Sequence, residues 1–246
     1  MNLQKIVLVT GANKGLGRAA AERFAALGCT VLVGARDPRK GEEAAAALGA
    51  HFVALDVNDP GSVRAAAADI DKRFGRLDVL VNNAGISGSA QVPPQEAYDQ
   101  IPSTVELDMV RSVFETNVFA VIAVTNAMLP LLRRSPAPRI VNLSSHAASM
   151  TITSAPEWRT APLPQSAAYA PSKAALNALT VQYANELAKD GFLVNAAAPG
   201  FCATDINANT GTRTAAQGAE VVVRLATLAD DGPTGGFFSD EGPMPW

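Results

Sequence analysis

The 246-residue chain has few of the residues that build disulfide frameworks and metal clusters. It contains two cysteines, Cys29 and Cys202, and two histidines, His51 and His146. Cysteines this few and this far apart exclude a disulfide framework and a thiolate metal site, and two histidines cannot form a His-rich cluster. Either histidine could be one ligand of a mixed site, but no companion residues have a suitable spacing. We therefore expect no bound metal.

A strong excess of charge is also missing. The sequence has 20 basic and 23 acidic residues, a net charge of −3, and no basic cluster. Proteins that bind nucleic acids or anionic membranes usually concentrate positive charge on one surface. The composition therefore predicts neither partner.

Long apolar runs are absent as well. The longest, VFAVIAVTNAMLPLL from Val118, is too short to span a membrane and contains Thr125 and Asn126, so it predicts a buried helix. The first residues, MNLQKIVLVTG, run directly into a predicted strand and leave no room for the apolar stretch of a signal peptide. We expect a soluble, cytoplasmic protein.

Short β-branched runs alternate with longer Ala-rich segments along the chain. The runs are apolar on both faces and predict buried strands at 6–10, 31–35, 51–55, 77–82, 139–144 and 192–198. The segments between them predict helices at 15–27, 39–48, 60–74, 108–134 and 168–189. This alternation is typical of an α/β protein with a doubly wound parallel sheet and helices on both faces. The length and the apolar content of 48% favour a single domain over 1–246.

Three irregular stretches interrupt this pattern, and each follows a predicted strand. Residues 86–104 are polar and Pro-rich, residues 146–166 have no clear period, and residues 203–218 are rich in Thr, Asn, Gly and Ala. In an open α/β sheet, loops at the carboxyl ends of the strands surround the ligand crevice. We predict that these three segments shape a substrate site, with ordinary surface loops as the alternative.

A glycine-rich turn joins the first predicted strand to the first predicted helix. It reads T-G-A-N-K-G-L-G from Thr10 to Gly17. Glycines allow backbone N–H groups to approach a pyrophosphate, and the N-terminus of the helix adds a partial positive charge. Such glycines also occur in plain tight turns, but the strand–turn–helix context favours phosphate binding.

Further motifs follow this turn in a fixed order. Asn82-Asn83-Ala84-Gly85 closes the fourth predicted strand, Asn117 lies in the long apolar helix, and Ser144-Ser145 ends the fifth strand. Tyr169-Ala170-Pro171-Ser172-Lys173 and then Pro199-Gly200 come next. With the T-G-x-x-x-G-x-G turn, this order resembles the short-chain dehydrogenase/reductase family over essentially the whole chain. The resemblance implies a Rossmann-like fold and hydride transfer between a nicotinamide cofactor and a carbonyl or alcohol.

The spacing of Tyr169 and Lys173 suits the chemistry that the resemblance implies. Four residues apart, they lie on one face of a helix. A nearby ammonium favours the phenolate and lowers the pKa of a tyrosine from about 10. Hydride addition to a carbonyl leaves an alkoxide that must take a proton. We therefore predict Tyr169 as the general acid and base and Lys173 as the group that tunes it. An ordinary helix-surface pair is the alternative.

The resemblance assigns roles to two more catalytic residues. Ser145 is expected to hold and polarise the substrate carbonyl, whereas Ser144 points to the other side of the strand and bonds within the fold. Asn117 is expected to bind a water that passes protons on through Lys173.

The resemblance also implies a set of cofactor contacts. Pro199-Gly200 turns toward the nicotinamide, and the backbone at Cys202 and the hydroxyl of Thr204 meet its carboxamide. Asp56 contacts the adenine, although a turn or cap role is the alternative. The expected cofactor-binding residues are Gly11, Asn13, Lys14, Gly15, Leu16, Gly17, Arg36, Asp56, Val57, Asn83, Ala84, Gly85, Asn117, Tyr169, Lys173, Pro199, Gly200, Cys202 and Thr204.

The end of the second strand favours NADP(H) over NAD(H). An acidic residue there would bind the ribose 2′-hydroxyl and repel a 2′-phosphate, whereas an Arg attracts the phosphate. The family's acidic position is filled by Ala35, and Arg36 follows it. Lys14 supplies a second cation near the same ribose. Asp37, followed by a proline, is read as a helix cap.

The chain departs from many family members between Ser145 and Tyr169, which are 24 positions apart instead of about a dozen. Monomeric animal carbonyl reductases and related plant ketone reductases have longer insertions at this place. The C-terminal stretch 233–240, with Trp246 at the end, is also similar to theirs. We therefore expect a carbonyl-reductase-like enzyme, monomeric or dimeric rather than tetrameric, that acts on a small carbonyl or alcohol.

The sequence leaves alternative interpretations open for three apolar residues and for the function. Met150, Trp158 and Phe201 either form an apolar substrate wall or merely pack the loops. A non-catalytic NADP(H) sensor of the same fold is the main rival to an enzyme, but it has no need of Ser145, Tyr169 and Lys173 together. A sugar-nucleotide epimerase needs a larger C-terminal domain than the 46 residues after Gly200.

Overall fold

The computed structural model describes residues 4–88, 100–160 and 165–246. Parts of two predicted loops, 89–99 and 161–164, lie outside these described residues. The strands are β1 (Ile6–Thr10), β2 (Thr30–Ala35), β3 (His51–Ala54), β4 (Val79–Asn82), β5 (Arg139–Leu143), β6 (Leu193–Ala197), β7 (Phe237–Ser239) and β8 (Gly242–Pro243). The α-helices are α1 (Gly15–Ala26), α2 (Pro38–Leu48), α3 (Pro60–Phe74), α4 (Leu107–Phe114), α5 (Ala120–Leu132), α6 (Met150–Thr153), α7 (Tyr169–Leu187) and α8 (Ala215–Ala226).

Within the described ranges the strands form one sheet in the order β3-β2-β1-β4-β5-β6-β7-β8. The first seven strands are parallel, and β8 pairs antiparallel with β7. The chain builds outward from β1 to β3 and then crosses back to place β4 on the other side of β1. This reversal opens a crevice at the carboxyl ends of β1 and β4, where ligands of doubly wound sheets bind.

Helices cover both faces of this sheet, which confirms the doubly wound α/β prediction. The side chains of β1 alternate between two cores: Val7 and Val9 pack on one face, and Ile6 and Leu8 on the other. Helices α1, α2 and α8 contribute to the first core, and α3, α5 and α7 to the second. Strands buried on both faces account for the continuous apolar runs in the sequence.

The helix predicted at 108–134 contains an irregular segment. Between α4 and α5, residues Glu115–Phe119 form a π-helical segment. The whole span Leu107–Leu132 is long and apolar enough to cross a membrane, but 56% of its most apolar window is buried inside the fold. Burial against the sheet therefore accounts for its composition.

The C-terminal third differs most from the sequence prediction. The loop expected at 203–218 ends earlier, because α8 begins at Ala215. Thr214 starts that helix with a capping box, in which its hydroxyl accepts the N–H of Gln217 and the Gln217 side chain bonds back. Strands β7 and β8 were also not predicted, because they are too short to show a pattern. The stretch 146–166 contains helical turns at His146–Ala148, Met150–Thr153 and Pro156–Thr160.

Strand β7 is anchored by Phe237, which is 2% exposed and stacks on Trp246 with ring centres 5.5 Å apart. We predict that Phe237→Ala lowers the free energy of unfolding by about 3–5 kcal/mol, because it leaves a cavity between β6 and the C-terminal residues. Phe119→Ala is the matched control, since its side chain is 53% exposed and its loss should cost less than about 1 kcal/mol. Urea denaturation of both variants measures the difference. Equal losses would show that β7 is not part of the cooperative core.

Candidate active site

The glycine turn lies at the crevice between β1 and β4. Gly11 has φ of 65°, a conformation that favours glycine. A Cβ on Gly17 would lie 2.3 Å from Asn83 Nδ2 and 2.7 Å from the Gly11 carbonyl oxygen, so only glycine fits there. The tight packing brings the first turn of α1 against the end of β4. Helix α1 has no side-chain cap and no acidic residue in its first turn, so its positive end suits an anion.

Thr10 and Asn83 join the ends of β1 and β4. The Thr10 hydroxyl accepts the N–H groups of Asn83 and Ala84, both at 3.0 Å. Asn83 Nδ2 donates to the Thr10 carbonyl at 2.7 Å. The Asn83 side chain therefore supports the glycine turn, and the turn is held in place from both strands.

Arg36 and Lys14, the two cations predicted to bind the ribose 2′-phosphate, have different surroundings in the structure. Arg36 directly follows β2, is exposed, and lies near the glycine turn, because the Ala12 N–H donates to the Gly34 carbonyl at 3.1 Å. Lys14 instead forms an ion pair with Asp205, with 2.7 Å between Nζ and Oδ2. This hydrogen bond lowers the pKa of Asp205 from its ordinary value. No local pattern predicts this pair.

Two acidic residues near the crevice have structural partners. Asp37 caps α2, since its side chain accepts the N–H of Lys40 at 3.2 Å, as the sequence predicts. Asp56 accepts the N–H of Asn58 at 3.0 Å, which is the turn role that the sequence left as an alternative. The adenine contacts expected of Asp56 and of its half-buried neighbour Val57 stay predictions.

Tyr169 begins α7 and Lys173 follows one turn later, with Lys173 Nζ 5.9 Å from the centre of the Tyr169 ring. Lys173 is 4% exposed, and its ammonium donates to the Leu143 carbonyl at 2.8 Å. Burial lowers the pKa of Lys173 to about 8, because the low dielectric disfavours the charged form. The lysine is thus a buried cation beside a half-buried phenol.

Asn117 is fully buried in the π-helical segment and faces the same place. Its Oδ1 accepts the N–H of Ile86, and its Nδ2 donates to the Ile86 carbonyl, both at 2.9 Å, and to Ser172 Oγ at 3.0 Å. A Cβ on Gly85 would lie 3.1 Å from Asn117 Oδ1 and 3.3 Å from Lys173 Nζ. The backbone at Gly85 is therefore the point where these two predicted residues meet. π segments often occur at functional sites.

The two serines after β5 point in different directions, as predicted. Ser144 is buried and donates to Asn177 Oδ1 at 2.6 Å. Ser145 is half-buried, and its hydroxyl accepts the N–H of Ala147 at 3.2 Å. This bond caps a short helical turn and fixes the Ser145 side chain at the carboxyl end of β5, on the same edge of the sheet as the glycine turn.

The residues after β6 cross the crevice. Gly200 has φ of 80°, and Cys202 is buried with its Sγ 3.3 Å from the Pro199 carbonyl. Burial raises the pKa of the Cys202 thiol, which agrees with a lining role and not a redox one. A Cβ on Gly15 would lie 3.5 Å from Thr204 Cγ2, so Thr204 lies beside the glycine turn.

One residue of the predicted apolar wall, Met150, lies away from this site. Met150 lines a different surface, a groove of about 420 Å³ on the outer side of α7 that contains Trp246 but neither Tyr169 nor Ser145. Phe201 is 42% exposed beside Gly200, and Trp158 is half-buried. In the described residues, no group of three His, Cys, Asp or Glu is arranged to hold a metal ion.

Sequence reasoning missed two residues beside Tyr169. The Ser166 hydroxyl accepts the N–H of Tyr169 at 2.8 Å, and Gln100 Oε1 accepts the same N–H at 3.1 Å. A serine three residues before a helix is a recognisable cap, so Ser166 could have been found. Gln100 is 69 positions away from Tyr169 and has no local signal.

Comparison with known proteins gives a consistent result. A family model described as short chain dehydrogenase matches residues 5–215. Short-chain dehydrogenase anuI of Penicillium roqueforti (strain FM164) is 38% identical over 232 residues, which cover 90% of this chain and 88% of that relative. The structure of salutaridine reductase from Papaver somniferum matches with a TM-score of 0.79 at 31% identity, over 96% of this chain and 100% of that one. The NADPH-bound carbonyl reductase from chicken fatty liver matches with a TM-score of 0.83 at 28% identity, over 99% of each chain.

The matched family region includes the glycine turn, Ser145, Tyr169 and Lys173. The similar solved structures extend the likeness through α8, β7 and β8, since they cover nearly the whole chain. This chain belongs to the short-chain dehydrogenase family of oxidoreductases.

Proposed function

We propose that this protein is an NADP(H)-dependent oxidoreductase that interconverts a carbonyl compound and its alcohol, with Tyr169 as general acid and base. The observation that carries the proposal is the buried Lys173 ammonium 5.9 Å from the Tyr169 ring, within one helical turn. Burying a lysine with a neutral carbonyl as its partner costs stability. Buried charges of this kind are common at active sites, where they take part in the reaction.

The glycine turn fits the pyrophosphate of a dinucleotide. The close approach at Gly17 and the uncapped N-terminus of α1 leave backbone N–H groups directed at the crevice. Arg36, exposed at the end of β2, would hold the 2′-phosphate of NADP(H) by charge-assisted hydrogen bonds. The similarity to an NADPH-bound carbonyl reductase supports this choice.

The bound cofactor supplies or takes up the hydride, and the residues of this chain manage the proton. In the reducing direction Tyr169 donates a proton to the alkoxide oxygen and becomes a phenolate. The Lys173 ammonium stabilises that phenolate. Ser145 donates a hydrogen bond to the carbonyl oxygen as negative charge develops on it. Asn117 lies beside Lys173 and would hold a water through which the proton is replaced.

The substrate class follows from similarity and from the long segment between Ser145 and Tyr169. Salutaridine reductase and (+)-neomenthol dehydrogenase of Capsicum annuum are similar over nearly the whole chain. Their names indicate enzymes of small molecules, and an aldehyde or ketone of that size suits this chain as well. The outer side of α7 is partly covered by α6 and Trp246, which supports a monomer or dimer over a tetramer.

Substitution of Tyr169 tests the proposal directly. We predict that Tyr169→Phe lowers the reductase kcat by about 10²–10⁴-fold, because the proton donor is lost, while NADPH still binds. The measurement follows NADPH absorbance with a panel of aldehydes, α-diketones, quinones and cyclic ketones, and NADPH binding by fluorescence. Tyr183→Phe is the matched control, since that hydroxyl bonds Asn126 away from the site. A Tyr169→Phe protein with the wild-type rate would contradict the proposal.

Cofactor preference provides a second prediction. Arg36→Ala should reduce kcat/KM for NADPH at least about tenfold and leave kcat/KM for NADH nearly unchanged, because only NADPH carries the 2′-phosphate. Arg39→Ala is the control, since Arg39 is an exposed arginine paired with Glu43 four positions further on. Steady-state rates with both cofactors give the ratio. An unchanged ratio in Arg36→Ala would rule out the assigned role.

The pKa of Lys173 predicts the pH dependence. Below about pH 8 the ammonium is charged and stabilises the phenolate; as the pH rises through that value the charge is lost. Carbonyl reduction should therefore slow above about pH 8. Lys173→Arg, which stays charged, should move this fall to higher pH. Profiles of kcat/KM from pH 6 to 10 test this, and a flat wild-type profile would count against it.

A further inference from the structure

Gln100 is a buried side chain in the stretch 86–104, which the sequence predicts to shape a substrate site. It is 1% exposed. Its Oε1 accepts the Ser166 hydroxyl at 2.5 Å and the Tyr169 N–H at 3.1 Å. Its Nε2 donates to the Ser87 carbonyl. One amide therefore connects the loop after β4 with the start of α7.

The backbone reinforces this connection. The Gln100 carbonyl accepts the Ala167 N–H at 2.8 Å, and residues 100 and 166 form an isolated parallel bridge. The first N–H groups of a helix have no partners within it. At α7 the residue before the helix, Ala168, has no capping side chain. The acceptors for the Tyr169 N–H are supplied by Ser166 and Gln100 instead.

The other end of the Gln100 amide reaches the neighbours of Asn117. Ser87 follows Ile86, whose N–H and carbonyl both bond the Asn117 side chain at 2.9 Å. Gln100 thus links the Tyr169 backbone to residues 86 and 87, the part of the loop that bonds the Asn117 side chain. Asn117 lies in the π-helical segment, and Tyr169 begins α7.

We infer that Gln100 is a positioning residue, which fixes Tyr169 at the start of α7 against the loop after β4 through the Tyr169 backbone. The inference rests on the proposed function and extends it to a residue that does not touch the reacting atoms. Both ends of the amide are required, because Oε1 faces donors and Nε2 faces a carbonyl. A displacement of about 1 Å in such a group costs roughly 10²-fold in rate.

Two substitutions separate the two ends of the amide. Gln100→Met keeps the length and removes both functions. Gln100→Glu keeps acceptors for the Tyr169 N–H but places a carboxylate against the Ser87 carbonyl. We expect kcat to fall at least tenfold in Gln100→Met, with NADPH Kd within twofold of wild type. We expect a smaller fall in Gln100→Glu, and a shifted pH midpoint of kcat in both variants. Gln182→Met is the control, because Gln182 lies in the groove on the outer side of α7.

The experiment measures kcat, KM, the pH profile, NADPH binding and the thermal midpoint of the holoenzyme. If Gln100→Met does not fold, Ser166→Ala replaces it, since that change removes one link and leaves the Gln100 bond to the Tyr169 N–H. If these variants kept the wild-type kcat and pH profile, the inference about Gln100 would be wrong, whereas the proposed function would stand. A loss of NADPH binding in parallel with kcat would also overturn the inference, because it indicates a purely structural role. An inactive wild-type protein would overturn the proposed function itself.

Discussion

The hydrogen bonds between Thr10 and Asn83 hold together the place where the sheet reverses its winding. The connections after β1 and β4 leave the same edge of the sheet but lead to helices on opposite faces. The Thr10 hydroxyl and the Asn83 amide join the two strand ends with three hydrogen bonds between β1 and β4. An unpaired buried donor at this point would cost about 1–3 kcal/mol, so the pairing is strongly favoured. The glycine turn, the end of β4 and the backbone at Gly85 all take their positions from it.

A second set of buried polar contacts fixes α7 against the sheet. Asn82 Nδ2 donates to Asn142 Oδ1 at 2.9 Å, and Asn142 Nδ2 donates to Thr180 Oγ1 at 2.9 Å. Apolar packing alone permits a helix to slide, whereas paired amides and hydroxyls specify one register. Because Thr180 lies two turns after Lys173, the register of α7 sets where the ammonium meets the Leu143 carbonyl. The position of the Lys173 ammonium therefore depends on these buried hydrogen bonds.

The residues that could be predicted from the sequence are those with a local signal. The strands show themselves as apolar runs, the helices by their Ala-rich segments, and Asp37 as a cap before a proline. The order of the glycine turn, Ser145, Tyr169 and Lys173 indicated the family, which the comparisons confirm. Lys14 with Asp205 and Gln100 with Tyr169 could not be predicted. Their partners are 191 and 69 positions apart, and nothing local marks either pair.

The π-helical segment has a consequence for how one helix can serve both the core and the site. Val113, Asn117 and Val121 are spaced by four and all buried, at 0%, 0% and 5% exposure. In an ideal α-helix, eight residues overshoot two turns by about 80°, which would rotate the third side chain off the face of the first. A wide turn takes up roughly one extra residue. It keeps the three side chains in line, so that the Asn117 amide lies in a row of core-facing valines.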